Sequence, residues 1–156
     1  MPRDPKLEVS LLLMRLTLAA FMLVWAVDKV IAPEHAQAVF ARYYFTDLSH
    51  QPLVIIGIMQ IAVIAAFAAG FARFWTYGAV LLLHTVSTAS TYAQLANPWA
   101  AGPRGLLFWA AVPVLAAALA LFLLRDRDRL LSVDAAWLGA RAAAIRGDSD
   151  AIHQRT

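Results

Sequence analysis
Four stretches of the sequence, 9–31, 52–70, 75–95 and 105–124, are each apolar over about the 20 residues that a helix needs to cross a bilayer core. Such a chain has few folds open to it. In hydrocarbon every backbone N–H and C=O must be bonded inside the structure, which limits spans to helices and closed barrels, and barrel strands run only about 9–11 residues. The expectation is all-α: a bundle of four transmembrane helices in one domain, 9–124. Composition agrees, with 62% hydrophobic and 15% charged residues against about 45–50% and 25% in soluble domains. Four crossings put both termini on one side. Arg3, Lys6, Arg73, Arg125, Arg127, Arg129, Arg141, Arg146 and Arg155 fall on that side, against Lys29, Arg42 and Arg104 opposite, so by the positive-inside rule the termini are cytoplasmic. The net charge of +3 then reads as a topology signal and not as a nucleic-acid surface. With no cysteine in the chain, disulfides, thiolate metal sites and CxxC redox chemistry are excluded.

The segments between the spans are short. Residues 1–8 form a polar cytoplasmic flank, and the first span is too long for a signal-peptide core, so it reads as a retained anchor. After Pro33 a short amphipathic surface helix is expected in the first outer loop, with Ala36, Val39, Phe40 and Tyr43 at helical spacing and Tyr43, Tyr44 and Phe45 at headgroup depth. Ala62, Ala66 and Gly70 offer the second span a small-residue face for close helix approach. The tail, 125–156, opens with Arg125-Asp126-Arg127-Asp128-Arg129, read as a solvated stop-transfer flank. A second amphipathic surface helix follows, with Ser132 as N-cap, Val133, Trp137, Leu138 and Ile145 on one face and Gly147 as its stop; 148–156 reads as a disordered end.

The third span carries an unusual load of polar groups in LLLHTVSTASTYAQL, residues 81–95. Tyr77, His84, Thr88 and Thr91 share a narrow stripe, which must face protein because unpaired polar groups against lipid cost several kcal/mol each. Counted by helical rise, His84 and Gln60 come out near the midplane, and so does Pro113. Proline supplies no N–H to the carbonyl four residues back, so Trp109 should present a free acceptor at that depth. Two readings follow. Either these groups bond one another as interhelical glue, or they line a pocket in which His84 and Gln60 anchor a lipophilic ligand such as a quinone headgroup. In that second reading Thr88, Thr91, Trp109, Phe108 and Met22 surround the ligand. No cofactor motif is present, and haem ligation is disfavoured because His84 is the one imidazole at that depth.

Three charged residues belong to the first span. Arg15, Ala19, Met22, Ala26 and Lys29 lie on one stripe. Arg15 falls well inside the cytoplasmic end, where it either snorkels to the interface or pairs within the bundle or with an anionic headgroup. Asp28 points away from that stripe, so it is not a partner for Arg15, and Asp28 and Lys29 both sit where they can reach outer water. His35, Glu34, His50 and Asp47 have metal-capable chemistry in the outer loop, but their spacing fits no ligand motif, and no metal site is expected.

Arg15-Leu16 with Lys29 fourteen positions after the arginine, Gly57-x-x-Gln60, and Gly70-Phe71-Ala72-Arg73 together resemble the pattern of the DoxX-like four-helix membrane proteins over about residues 12–124. Two positions depart from it: Ala26 stands where that family often has glycine, and Gln60 where it commonly has glutamate, so acid–base work by that glutamate is not available here. The resemblance implies a bacterial inner-membrane protein, non-catalytic by itself, acting as a subunit or partner of a quinone-linked redox or stress-response assembly. The arrangement also resembles vitamin K epoxide reductase, whose thiol chemistry a cysteine-free chain cannot perform.

Overall fold
The computed structural model describes residues 4–153 except Ala101 and Pro103. These are helical throughout, with no strand among the described residues. Helix α1 spans Pro5–Ile31, four residues earlier than the apolar run alone suggests, because Asp4 caps it by accepting from the amides of Lys6 (3.0 Å) and Leu7 (3.4 Å), and Pro5 is preset for the first turn. Helix α2, Pro33–Val39, passes into a π-helical turn, Phe40–Tyr44, closed by Phe45 in the left-handed conformation. Helix α3 spans His50–Ala68 and α4 Arg73–Ser90. A short α5, Tyr92–Ala96, follows, then a 3-10 stretch, Gly105–Ala110, that leads into α6, Ala111–Leu123, and finally α7, Val133–His153.

Three segments among the described residues, Pro5–Ile31, His50–Ala68 and Gly105–Leu123, are long and apolar enough to cross a membrane. Helix α4 is not one of them, since the polar stripe that marks it lowers its hydropathy. It also ends sooner than the expected residue 95: Ser90 Oγ bonds to the Ser87 carbonyl (2.8 Å) and Thr91 Oγ1 to that of Thr88 (2.9 Å), and such local bonds compete with helix continuation. Helix α1 packs on α3, α3 on α4, α4 on α6, and α6 returns to α1. Leu11, Leu18, Ala26, Ile64, Phe67, Tyr77, Val80, Ala118 and Leu121 fill the space between them. The outside stays apolar, with Leu13, Val24, Ile58, Met59, Leu82, Leu107 and Leu123 each more than half exposed. So large an exposed apolar surface suits lipid and not water.

The close approach of α1 and α3 does not use the expected Ala62 face; Ala62 is exposed. It occurs at Gly57, where an added Cβ would lie 2.9 Å from the Ala26 carbonyl oxygen, from Lys29 Cβ and from Val30 Cγ2. Because the first of these atoms is backbone, Gly57→Ala must push the helices apart, with an expected cost of about 1–3 kcal/mol, the range for overpacking. Denaturant titration of the detergent-solubilised protein measures it, and an unchanged midpoint would show that α1 and α3 are not held at this distance.

The tail departs from expectation in two places. Helix α7 runs through Gly147 to His153, so Gly147 is not its stop and 148–153 is helical; Gln154–Thr156 lie outside the described residues. Ser132 does act as a cap, its Oγ accepting from the Ala135 amide at 3.4 Å. Among the residues before it, Asp126, Arg127 and Arg129 are exposed as expected, but Asp128 is buried.

Candidate functional site
The inward stripe of α1 begins with Arg15, which is 0% exposed, and its guanidinium does not snorkel. Arg15 Nη1 forms an ion pair with Asp128 Oδ2 at 3.1 Å, Asp128 being likewise 0% exposed. Tyr77, at the start of the α4 stripe, lies between them. Its hydroxyl donates to Asp128 Oδ2 at 2.6 Å and accepts from Arg15 Nη1 at 3.3 Å. Arg15 Nη2 then donates to the carbonyls of Leu130 (2.8 Å) and Leu131 (3.1 Å), the latter residue held in the left-handed region at φ 47°. A buried pair of this kind is tolerated only where further hydrogen bonds take up its remaining valences. Two atoms here have none among the described residues, Arg15 Nε and Asp128 Oδ1.

A second guanidinium stitches the same segment from the other side. Arg73, in the first turn of α4, donates through Nη1 to the carbonyls of Arg125 (2.8 Å) and Asp128 (2.7 Å). Asp134 returns the contact: its carboxylate accepts from the amides of Ala72 and Arg73, both at 2.9 Å, so an anion stands at the positive end of α4. Gly70, at φ 63°, lets the chain turn between α3 and α4 and leaves room for what lies against it; its carbonyl accepts from Ser132 Oγ (3.0 Å) and the Asp134 amide (3.2 Å), while the Ala69 carbonyl takes the Val133 amide (3.0 Å). The RDRDR segment is thus folded under the helix ends as a latch, with Asp128 as its buried pin. That corrects its reading as a wholly solvated flank: Asp128 is buried and Arg125 half-buried, while Asp126, Arg127 and Arg129 are exposed.

His84, Thr85 and Thr88 of α4 take their partners from backbone carbonyls. His84 is buried, edge-on to the Phe21 ring, and its Nε2 donates to the Ala111 carbonyl at 3.1 Å. The acceptor is Ala111 and not Trp109, because the 3-10 winding ahead of Pro113 lets the Ala111 amide bond back to the carbonyls of Phe108 and Trp109. Thr88 Oγ1 bonds to the His84 carbonyl (2.8 Å) and Thr85 Oγ1 to that of Leu81 (2.7 Å), so the hydroxyls take up acceptors on their own helix and need no guest. No hydrogen bond joins Gln60, which is half-buried, to His84 among the described residues. Of the candidate pocket residues, His84 and Thr88 are buried one turn apart on α4, Gln60 and Thr91 are half-buried, Met22 packs against the apolar core and Trp109 is 51% exposed.

At the C-terminal end of α1 Asp28 and Lys29 part company. The Asp28 carboxylate accepts from His35 Nδ1 at 2.9 and 3.0 Å. Lys29 does not reach water as expected; it is 9% exposed, its Nζ donating to the Trp25 carbonyl at 2.9 Å and lying 6.0 Å from the centre of the Phe40 ring. His50 donates to Gln37 Oε1 (3.0 Å), and Gln37 Nε2 in turn donates to Asp47 (2.9 Å).

Sequence reasoning missed Asp128. A signal was present, since a cation buried in a span demands an anion at its own depth. Asp126, Asp128 and Asp134 all lie on that side, and nothing local distinguishes them. Comparisons of the chain with protein-family models, with curated proteins and with solved structures gave no match.

Proposed function
We propose that the chain is a DoxX-like protein of the bacterial inner membrane, a four-helix bundle with both termini cytoplasmic, that serves as a non-catalytic subunit or partner of a membrane redox or stress-response assembly. One observation carries the reading: the polar groups of the interior are spent on one another. Arg15, Tyr77 and Asp128 lock together, and His84 is bonded to a backbone carbonyl. An interior bonded in this way holds a shape, whereas the half-exposed apolar faces of α1, α3 and α6 are open to lipid or to a neighbouring subunit. The fourth crossing is α4, whose polar face is covered by α3 and α6.

The test is gentle extraction of the tagged full chain, followed by mass spectrometry of the proteins and small molecules that travel with it. The expected result is a stoichiometric protein partner whose quinone-linked activity falls when this chain is deleted, with a quinone load that His84→Ala leaves unchanged. A solitary chain carrying a stoichiometric quinone that His84→Ala removes would overturn the reading in favour of a midmembrane lipophile binder.

A further inference from the structure
The outer end of the molecule holds a cleft that the closed interior does not account for. Its volume is about 250 Å³, and Arg42, Tyr43, Ala93, Gln94, Asn97, Ala100 and Phe108 line it. Three irregularities of the backbone meet there: the π-helical turn Phe40–Tyr44, the break between α4 and α5, and the start of the 3-10 stretch at Gly105. Regular helices continued through these points would not splay to leave the space, and π-turns recur at functional sites.

The lining is chemically specific. The Arg42 guanidinium stacks over the Tyr43 ring at 5.7 Å and has no carboxylate partner among the described residues. This contrasts with Arg15 and Arg73, whose charges are engaged. Tyr43 and Phe108 face each other with ring centres 5.7 Å apart, and Gln94 brings an amide that forms no hydrogen bond among the described residues. An unpaired guanidinium beside a free amide, backed by two rings, suits an anionic oxygen group attached to an apolar body. Depth points the same way. Phe45, Tyr92 and Trp99, all strongly exposed, surround this end as interfacial aromatics do at headgroup level.

We infer that this cleft binds a phosphate-bearing group of net negative charge at the outer membrane–water interface, with Arg42 and Gln94 on the phosphate oxygens and Tyr43 and Phe108 against the adjoining apolar portion. The inference rests on the membrane placement proposed above but not on any partner protein. The phosphate can be that of an anionic lipid or of a soluble ester, and one experiment separates the two. Purified full chain in a non-ionic detergent is titrated, by native mass spectrometry, with dioleoyl phosphatidylglycerol, with dioleoyl phosphatidylcholine and with inorganic phosphate. The wild-type chain is compared with Arg42→Ala and Phe108→Ala, and with Arg129→Ala as a loss of equal charge at the opposite end.

The expected result is retention of phosphatidylglycerol over phosphatidylcholine, weakened about tenfold by Arg42→Ala, as removal of a charge-assisted bond implies. Phe108→Ala should also weaken it, and Arg129→Ala should not. Inorganic phosphate that displaces the lipid through Arg42 at comparable concentration would support the same site with a soluble ester as its ligand. Equal retention of both lipids, or equal effects of Arg42→Ala and Arg129→Ala, would overturn the inference. Loss of a copurifying partner with lipid retention intact would bear on the proposed assembly alone.

Discussion

Asp128→Ala is expected to destabilise the folded protein by about 3–5 kcal/mol, the range for stranding one member of a buried ion pair. The variant leaves the Arg15 guanidinium 0% exposed with its counter-charge gone and the Tyr77 hydroxyl without its acceptor at 2.6 Å. It also frees the latch, since Asp128 pins the segment that Arg15 and Arg73 hold by its carbonyls. Denaturant titration in detergent, followed by tryptophan emission, reads the loss. The double variant Arg15→Met with Asp128→Leu separates charge from shape: with neither ion present, most of the stability should return, because apolar residues of similar volume commonly replace a buried pair without penalty. A double variant as weak as the single one would show that the carbonyl contacts of Arg15, and not its ion pair, hold the segment.

The second large effect is expected at Gly70. Alanine there meets two obstacles at once. The left-handed backbone at φ 63° costs a residue with a Cβ about 1–2 kcal/mol. The new Cβ would also lie 2.8 Å from Arg15 Nη1 and from Ser132 Oγ, and 2.9 Å from Ser132 Cβ, which adds about 1–3 kcal/mol of overpacking. Arg15 holds the latch and Ser132 follows it, so the consequence should be local: protease cleavage within 124–134 should accelerate at denaturant concentrations where α1, α3 and α4 remain folded. Cleavage at the wild-type rate would mean that the turn between α3 and α4 relaxes without disturbing the segment beneath it.

The two variants probe one feature, and it is the feature the sequence disclosed least. Helical periodicity puts Arg15 on one stripe with Ala19, Ala26 and Lys29 but leaves open whether its guanidinium snorkels or pairs within the bundle. The same periodicity placed Tyr77, His84 and Thr88 inward. Facing is a local property, fixed by about 100° of turn per residue. Partnership is not local. Asp128 lies 113 positions from Arg15 in a run of alternating charge that, taken alone, describes a water-exposed flank. Only the return of the chain beneath the helix ends makes it a buried counter-ion.

His84 illustrates the same division within α4. Periodicity turned it inward, and Pro113 marked the helix that meets it. The acceptor turned out to be the Ala111 carbonyl, because the backbone ahead of the proline winds as a 3-10 helix and redistributes its own bonds. The threonines, which in the sequence look like groups in need of a neighbouring helix, bond to carbonyls one turn back.

What the sequence by itself determined was the helical class, the apolar segments suited to a membrane and the inward side of α4, since all three follow from composition and from the geometry of a single helix. Tertiary structure decided where α1 and α3 touch, at Gly57 and not at Ala62, and which anion answers Arg15. It also decided that a cleft opens beside Arg42, between the π-helical turn and α5. Those outcomes depend on how separate helices meet, and a pairing between distant segments leaves no periodicity in either one.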